Sequence, residues 1–173
     1  MRDVATIDLQ LDFSSNWFRK QEKRLNVMVL KCKFGEPEHG WLPVELSLEG
    51  QILNLDVSDV PVDPINCLIL GLDRTINGLQ DEVFFHLEPD GYFLCFECLA
   101  KDCFGFRLER SARDVARLQN RTLIYESTGN KHEIILPFWR AIKEFASHCY
   151  VEPAWPNIDN VALSKLTKLV KSA

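Results

Sequence analysis

Cys95, Cys98 and Cys103 are the residues whose type and spacing most resemble a chemical site, because three thiols so close in a chain could hold zinc, with a histidine or Cys149 as fourth ligand. Their surroundings argue otherwise. They sit among alternating apolar and aromatic residues that read as strand, where positions three apart point to opposite faces, so Cys95 and Cys98 cannot reach one ion without a bulge between them. The same parity weakens a redox dithiol, which would also need a helix opening beside it to lower the thiolate pKa. His39, His86, His132 and His148 stand apart, with no His-x-x-x-His or His-Glu-x-x-His spacing. His148 and Cys149, as neighbours on a helix, would point about 100° apart. No glycine-rich phosphate loop and no Gly-x-Ser-x-Gly elbow occurs. The residues thus imply no metal and no cofactor. A small enzyme or zinc-binding protein using Cys95, Cys98 and Cys103 is the alternative to a non-catalytic reading.

Charge gives the second set of candidates. The chain of 173 residues has a formal net charge of −5, and that average conceals a strong asymmetry. Residues 34–100 hold thirteen acidic side chains against one basic, Arg74, whereas residues 1–33 and 101–173 both carry an excess of Lys and Arg. Within the acidic block Glu36, Glu38, Glu45, Glu49, Asp56, Asp59 and Asp63 follow one another with no Lys or Arg between them. Such a field disfavours nucleic-acid phosphate and suits a cationic protein. Trp41 falls on the same expected strand face as Glu45 and Glu49, so an aromatic anchor beside carboxylates is expected, suited to a basic protein surface. The expected partner-binding residues are Trp41, Glu45, Glu49, Asp56, Glu36 and Glu38.

The elements that must position these residues follow from periodicity and turn chemistry. Residues 4–13 alternate with Ala5, Ile7, Leu9, Leu11 and Phe13 on one side, the pattern of a half-buried strand. A polar and basic connection with Trp17 and Phe18 follows, and extended structure resumes over 25–33. Two more strands are expected between Trp41 and Val57, with Leu42, Val44, Leu46 and Leu48, then Leu53, Leu55 and Val57, facing the core around a Glu49-Gly50 turn. Asp63 and Pro64 open a helix that Gly78 closes, and Ile65, Leu68, Ile69, Leu72 and Ile76 form its apolar stripe. Residues 82–110 read as three antiparallel strands with turns at 88–91 and 100–103. Residues 111–120 favour a short helix over a broken strand, and 121–127 a strand. A second helix is expected over about 136–150, with Phe138, Ile142, Phe145 and Cys149 on its buried side. Prolines 153 and 156 stop it, and a basic amphipathic helix covers 159–171.

These elements make an α+β chain: an antiparallel sheet of six or seven strands, two main helices on one face of it, and a short C-terminal helix. Residues 1–151 form the expected domain and 152–173 a proline-containing linker with the tail helix, which could dock on the body or stay loose. No stretch approaches the roughly 20 apolar residues of a membrane span, and the N-terminus lacks a signal pattern, so a cytoplasmic location without membrane contact is expected. Six cysteines in such a chain are expected to be reduced and mostly buried. The oligomeric state is open, and a homo-oligomeric structural protein is a third reading.

The segment Trp41-Leu-Pro-Val-Glu-Leu46, the Glu88-Pro89-x-x-Tyr92 turn and the order of elements between residues 25 and 150 resemble small bacterial immunity-type proteins of polymorphic toxin systems. The resemblance implies a non-enzymatic cytoplasmic protein that sequesters a cognate toxin by stoichiometric binding. It does not extend to the N-terminal strand, the tail helix or the cysteines.

Overall fold

A computed structural model describes residues 30–111, 121–150 and 155–172. In chain order the elements are β1 (Lys31–Phe34), β2 (Trp41–Leu48), β3 (Gln51–Ser58), α1 (Pro64–Ile76), β4 (Asp81–His86), β5 (Gly91–Ala100), β6 (Cys103–Ser111), β7 (Arg121–Gly129), α2 (Lys131–Ile134), α3 (Leu136–Phe145) and α4 (Asn160–Lys171). The expected strand over 4–13, the connection after it and the segment 112–120 lie outside the described residues.

The α+β class and the antiparallel pairing hold, but the strands do not make one sheet. They form two, a three-stranded sheet in the order β1-β2-β3 and a four-stranded sheet in the order β4-β5-β6-β7. The division falls where the chain leaves β3, crosses through α1 and returns as β4. Instead of pairing along their lengths, β3 and β4 are tied by Ser58 Oγ, which donates to Glu88 Oε1 at 3.0 Å, and by His86 Nδ1, 2.8 Å from the Val60 carbonyl. Alternation along a strand is the same in either arrangement, so periodicity could not distinguish them.

In the first sheet Leu42, Val44, Leu46 and Leu48 of β2 point inward with Leu55 and Val57 of β3, and all are buried. The β2–β3 hairpin closes at Glu49 and Gly50 with φ of 51° and 87°, both in the left-handed region that a two-residue hairpin turn uses. In the second sheet Val83, Phe85, Leu94, Phe96, Phe106 and Leu108 form the inner layer. Gly91, expected in the turn, is the first residue of β5 opposite His86. A side chain there would collide with the Phe84 ring, which lies against it.

The two main helices also divide between the sheets, where sequence suggested one shared face. α1 packs on β4 and β5 and α3 on β1. Asp63 caps α1 by accepting from the amides of Ile65 and Asn66 at 2.8 and 3.3 Å, a contribution of about 1 kcal/mol. Ile65, Leu68, Ile69 and Leu72 are fully buried beneath it, each stabilising by about 2 kcal/mol. α3 links the sheets through rings: Phe145 meets Phe34 of β1 at 6.0 Å, and Phe138 meets Phe96 and Phe106 at 5.1 and 5.2 Å. It ends at Phe145, short of the expected 150, so Cys149 is exposed instead of buried. The helical region also begins earlier, with α2, where Asn130 and Glu133 form a reciprocal capping box.

The tail helix docks. Leu163, Leu166 and Val170 of α4 are buried, Lys165 pairs with Asp73 of α1 at 2.8 Å, and the Trp139 indole donates to Thr167 at 3.1 Å. Asn66 of α1 completes the joint, donating to the Asn157 carbonyl and accepting from the Asp159 amide.

Candidate protein-binding surface

The outward face of the first sheet is built by the same alternation that fills the core. Pro43 and Glu45 of β2 and Asn54 and Asp56 of β3 are exposed. Register sets Pro43 opposite Asp56 and Glu45 opposite Asn54, which makes Glu45 and Asp56 diagonal neighbours about 7 Å apart. Lys33 of the edge strand lies opposite Glu45 on its other side, so the face is acidic across β2 and β3 and basic along β1.

Trp41 opens β2 opposite Ser58. It is half-buried and lies outside the hydrophobic core. The preceding loop brings Glu36 and Glu38, both exposed, to this end of the sheet, because Glu38 and Trp41 exchange backbone hydrogen bonds of 2.9 and 3.0 Å. Glu49 is at the hairpin tip, about 26 Å along the strand from Trp41 at roughly 3.3 Å per residue. The six expected residues therefore share one region of the molecule without ringing one point. Glu36, Glu38 and Asp56 gather toward Trp41, Glu45 sits midway and Glu49 stands alone.

The carboxylates of residues 34–100 fall into two groups. Those on α1, β4 and β5, with Asp90 of the β4–β5 turn, have cationic partners, while Glu88 of that turn accepts from Ser58 instead. Asp73 pairs with Lys165, Asp81 with Arg74, Glu82 with Arg121, Asp90 with Arg110 and Glu97 with Arg107, at 2.8 to 3.0 Å. Four of those cations come from the basic C-terminal flank, so folding brings it onto the acidic block. For Glu36, Glu38, Glu45, Glu49, Asp56, Asp59 and Asp63, no Lys or Arg among the described residues comes within ion-pair distance.

The outward face of the second sheet shows the paired case in detail. The Arg121 guanidinium stacks 3.5 Å from the Phe93 ring centroid and reaches Glu82 at 2.9 Å and Glu109 at 3.4 Å. Arg107 reaches Glu97 at 3.0 Å and Glu109 at 3.3 Å. Burial opposes the charge of both arginines, yet their carboxylate partners outweigh it and hold each pKa above its ordinary value. Cys95 lies within this network, its thiol 3.8 Å from Glu82. Burial, then the charges of Glu109 and Glu82, push that thiol up to about 12. At neutral pH it is protonated and is not a nucleophile. Cys98 is on the other face, against the core, with its Sγ 3.4 Å from the Ala100 carbonyl. The register shift in this hairpin falls beyond Cys98, between it and Ala100, so it does not turn Cys98 toward Cys95. Among the described residues no three His, Cys, Asp or Glu side chains are arranged to hold a metal.

Comparison with protein families, with curated proteins and with solved structures finds no match. Sequence reasoning counted Asp59 and Asp63 in the acidic run and read Asp63 as a helix cap, but missed the apolar tip between them. Its two exposed valines interrupt the acidic run, the one signal that could have singled it out.

Proposed function

We propose that this chain is a non-catalytic binding protein that holds a basic protein against the outward face of its three-stranded sheet. The observation that carries the reading is the exposed run of Glu45 and Asp56, with Glu36 and Glu38 beside it, at a sheet end where Trp41 is half-buried outside the core. Carboxylates with no Lys or Arg of the described residues within ion-pair distance speed encounter with a basic surface, and an indole at their margin supplies much of the grip. The narrower reading is an immunity-type inhibitor: the partner is a basic toxin, and stoichiometric capture neutralises it.

Affinity capture tests this. Immobilised protein retains a basic protein from extracts of its own cells, salt releases it, and the triple variant E45K/E49K/D56K retains none. Undiminished capture by the triple variant contradicts the binding face. For the narrower reading, co-expression of the captured protein arrests growth unless this chain is also present. A captured protein harmless when expressed alone removes the immunity role and leaves the binding role.

A further inference from the structure

The segment Asp59–Asp63, Asp-Val-Pro-Val-Asp, exposes Val60 and Val62 at 58% and 51% of their surface, and Pro61 between them is also exposed. Exposed apolar side chains in a connection are ordinary when the connection is loosely held, and this one is fastened at Asp59, Val60 and Asp63. The Asp59 amide donates to the Gly40 carbonyl at 3.2 Å, and the Val60 amide donates to Ser58 Oγ at 3.2 Å. That hydroxyl in turn donates to Glu88 at 3.0 Å. The His86 ring, 2.8 Å from the Val60 carbonyl, donates from Nδ1, since a carbonyl can only accept. Asp63 is fixed as the cap of α1. Four parts of the chain thus converge to hold two valines in water.

The same hydrogen bonds join this tip to the acidic face. Asp59 is tied to Gly40, next to Trp41, and Ser58 is the cross-strand partner of Trp41. Asp59 and Asp63 flank the valines within the segment, Glu88 is joined to it through Ser58, and the loop bearing Glu38 leads into Gly40, which holds the Asp59 amide. We propose that the Val60-Pro61-Val62 tip is the apolar contact of the binding face, and that it receives a protein segment in which an aliphatic side chain is flanked by Lys or Arg. The inference rests on the basic-partner reading and adds to it the place and the sequence character of the contact. A tip already fixed loses little conformational freedom on binding, so apolar burial there converts efficiently to affinity.

The test is titration of the ¹⁵N-labelled full chain with three synthetic peptides of equal length: lysines around a central pair of leucines, the same peptide with the leucines replaced by glutamine, and the same with the lysines replaced by glutamine. The Lys/Leu peptide is expected to shift the amides of Val60 and Val62 and the Trp41 indole N–H. It should bind about tenfold more tightly than either other peptide, the effect of one well-buried aliphatic contact. The variant V60S/V62S, altered only at exposed positions, should lower its affinity to that of the Lys/Gln peptide while leaving resonances of β4 to β7 in place. Equal binding of the two lysine peptides, or full affinity in V60S/V62S, overturns the tip and leaves the acidic face standing. If neither lysine peptide perturbs β2 or β3, the basic-partner reading falls and the tip falls with it.

Discussion

The outward faces of the two sheets are made of similar residues and have opposite electrostatic fates. On the four-stranded sheet Glu82, Glu97 and Glu109 are cross-braced by Arg107 of β6 and Arg121 of β7. On the three-stranded sheet Glu45 and Asp56 lie on a diagonal, and Lys33 of the edge strand stands opposite Glu45 without closing to ion-pair distance. A carboxylate paired within the fold contributes to stability and presents little field, whereas one left in water among like charges contributes nothing to the fold and projects its field outward. Net charge alone cannot separate these cases, and the neighbours of each carboxylate in the fold can.

The largest expected consequence of the difference concerns Cys95, the thiol inside the braced face. With a pKa near 12, it should alkylate on the order of a thousandfold more slowly than free cysteine at pH 8. Exposed Cys149 should label first, as mass mapping of the modified peptides would show. The linkage follows with a definite sign. Unfolded Cys95 ionises near 9.0 and folded Cys95 near 12, so between these values the unfolded chain binds fewer protons and stability falls as pH rises. Urea denaturation from pH 8 upward should show a shallower alkaline decline in Cys95→Ala than in the wild type. An identical slope would place the thiol outside the network.

Next in size is Arg121→Ala. It strips the cation from Phe93 and leaves Glu82 and Glu109 facing each other with one guanidinium fewer, a loss of about 2 kcal/mol in chemical denaturation because solvent screens the part-exposed Glu82. A loss below about 1 kcal/mol would mean that the ion pairs of the second sheet are worth no more than ordinary surface pairs.

The smallest effect has the opposite sign. Neutralising Asp56 by D56N should leave stability unchanged or raise it by about 0.5 kcal/mol at low salt, because its repulsion with the diagonal Glu45 is relieved while Glu45 keeps Lys33 opposite it. The gain should vanish near 0.5 M salt, where the screening length is only about 4 Å. Destabilisation by more than about 1 kcal/mol would show that this carboxylate holds the fold together after all.

Much of this was legible in the chain and some was not, for separable reasons. Local signals located the β2–β3 turn at Glu49-Gly50, the α1 cap at Asp63, the central meander and the tail helix, because each depends on a few adjacent residues. The division into two sheets was invisible, since Leu55 and Val57 alternate identically whether or not β3 pairs with β4. Helix α3 was extended too far because Cys149 continued the apolar spacing, although Ser147 and His148 already bond back to the Glu144 carbonyl at the helix end. The acidic residues of the candidate face were all named from sequence. Their spread from Trp41 to Glu49 was not, because sharing a strand face says nothing of distance along it. Nor could the sequence reveal which carboxylates of residues 34–100 had partners, as Arg107, Arg110, Arg121 and Lys165 reach them from far along the chain.

The comparison of the two faces comes to a point in the salt dependence of partner binding. Affinity for the captured basic protein, measured between about 0.05 and 0.5 M salt, is to be compared for the wild type, for E45K/E49K/D56K on the first sheet and for E97Q on the second. The charge sorting predicts that the triple variant binds at least about tenfold more weakly at low salt and with a flattened salt slope. E97Q, whose carboxylate is occupied by Arg107, should match the wild type in both. Equal losses in the two variants, or an unchanged slope in the triple variant, would contradict the assignment of the binding face to the first sheet.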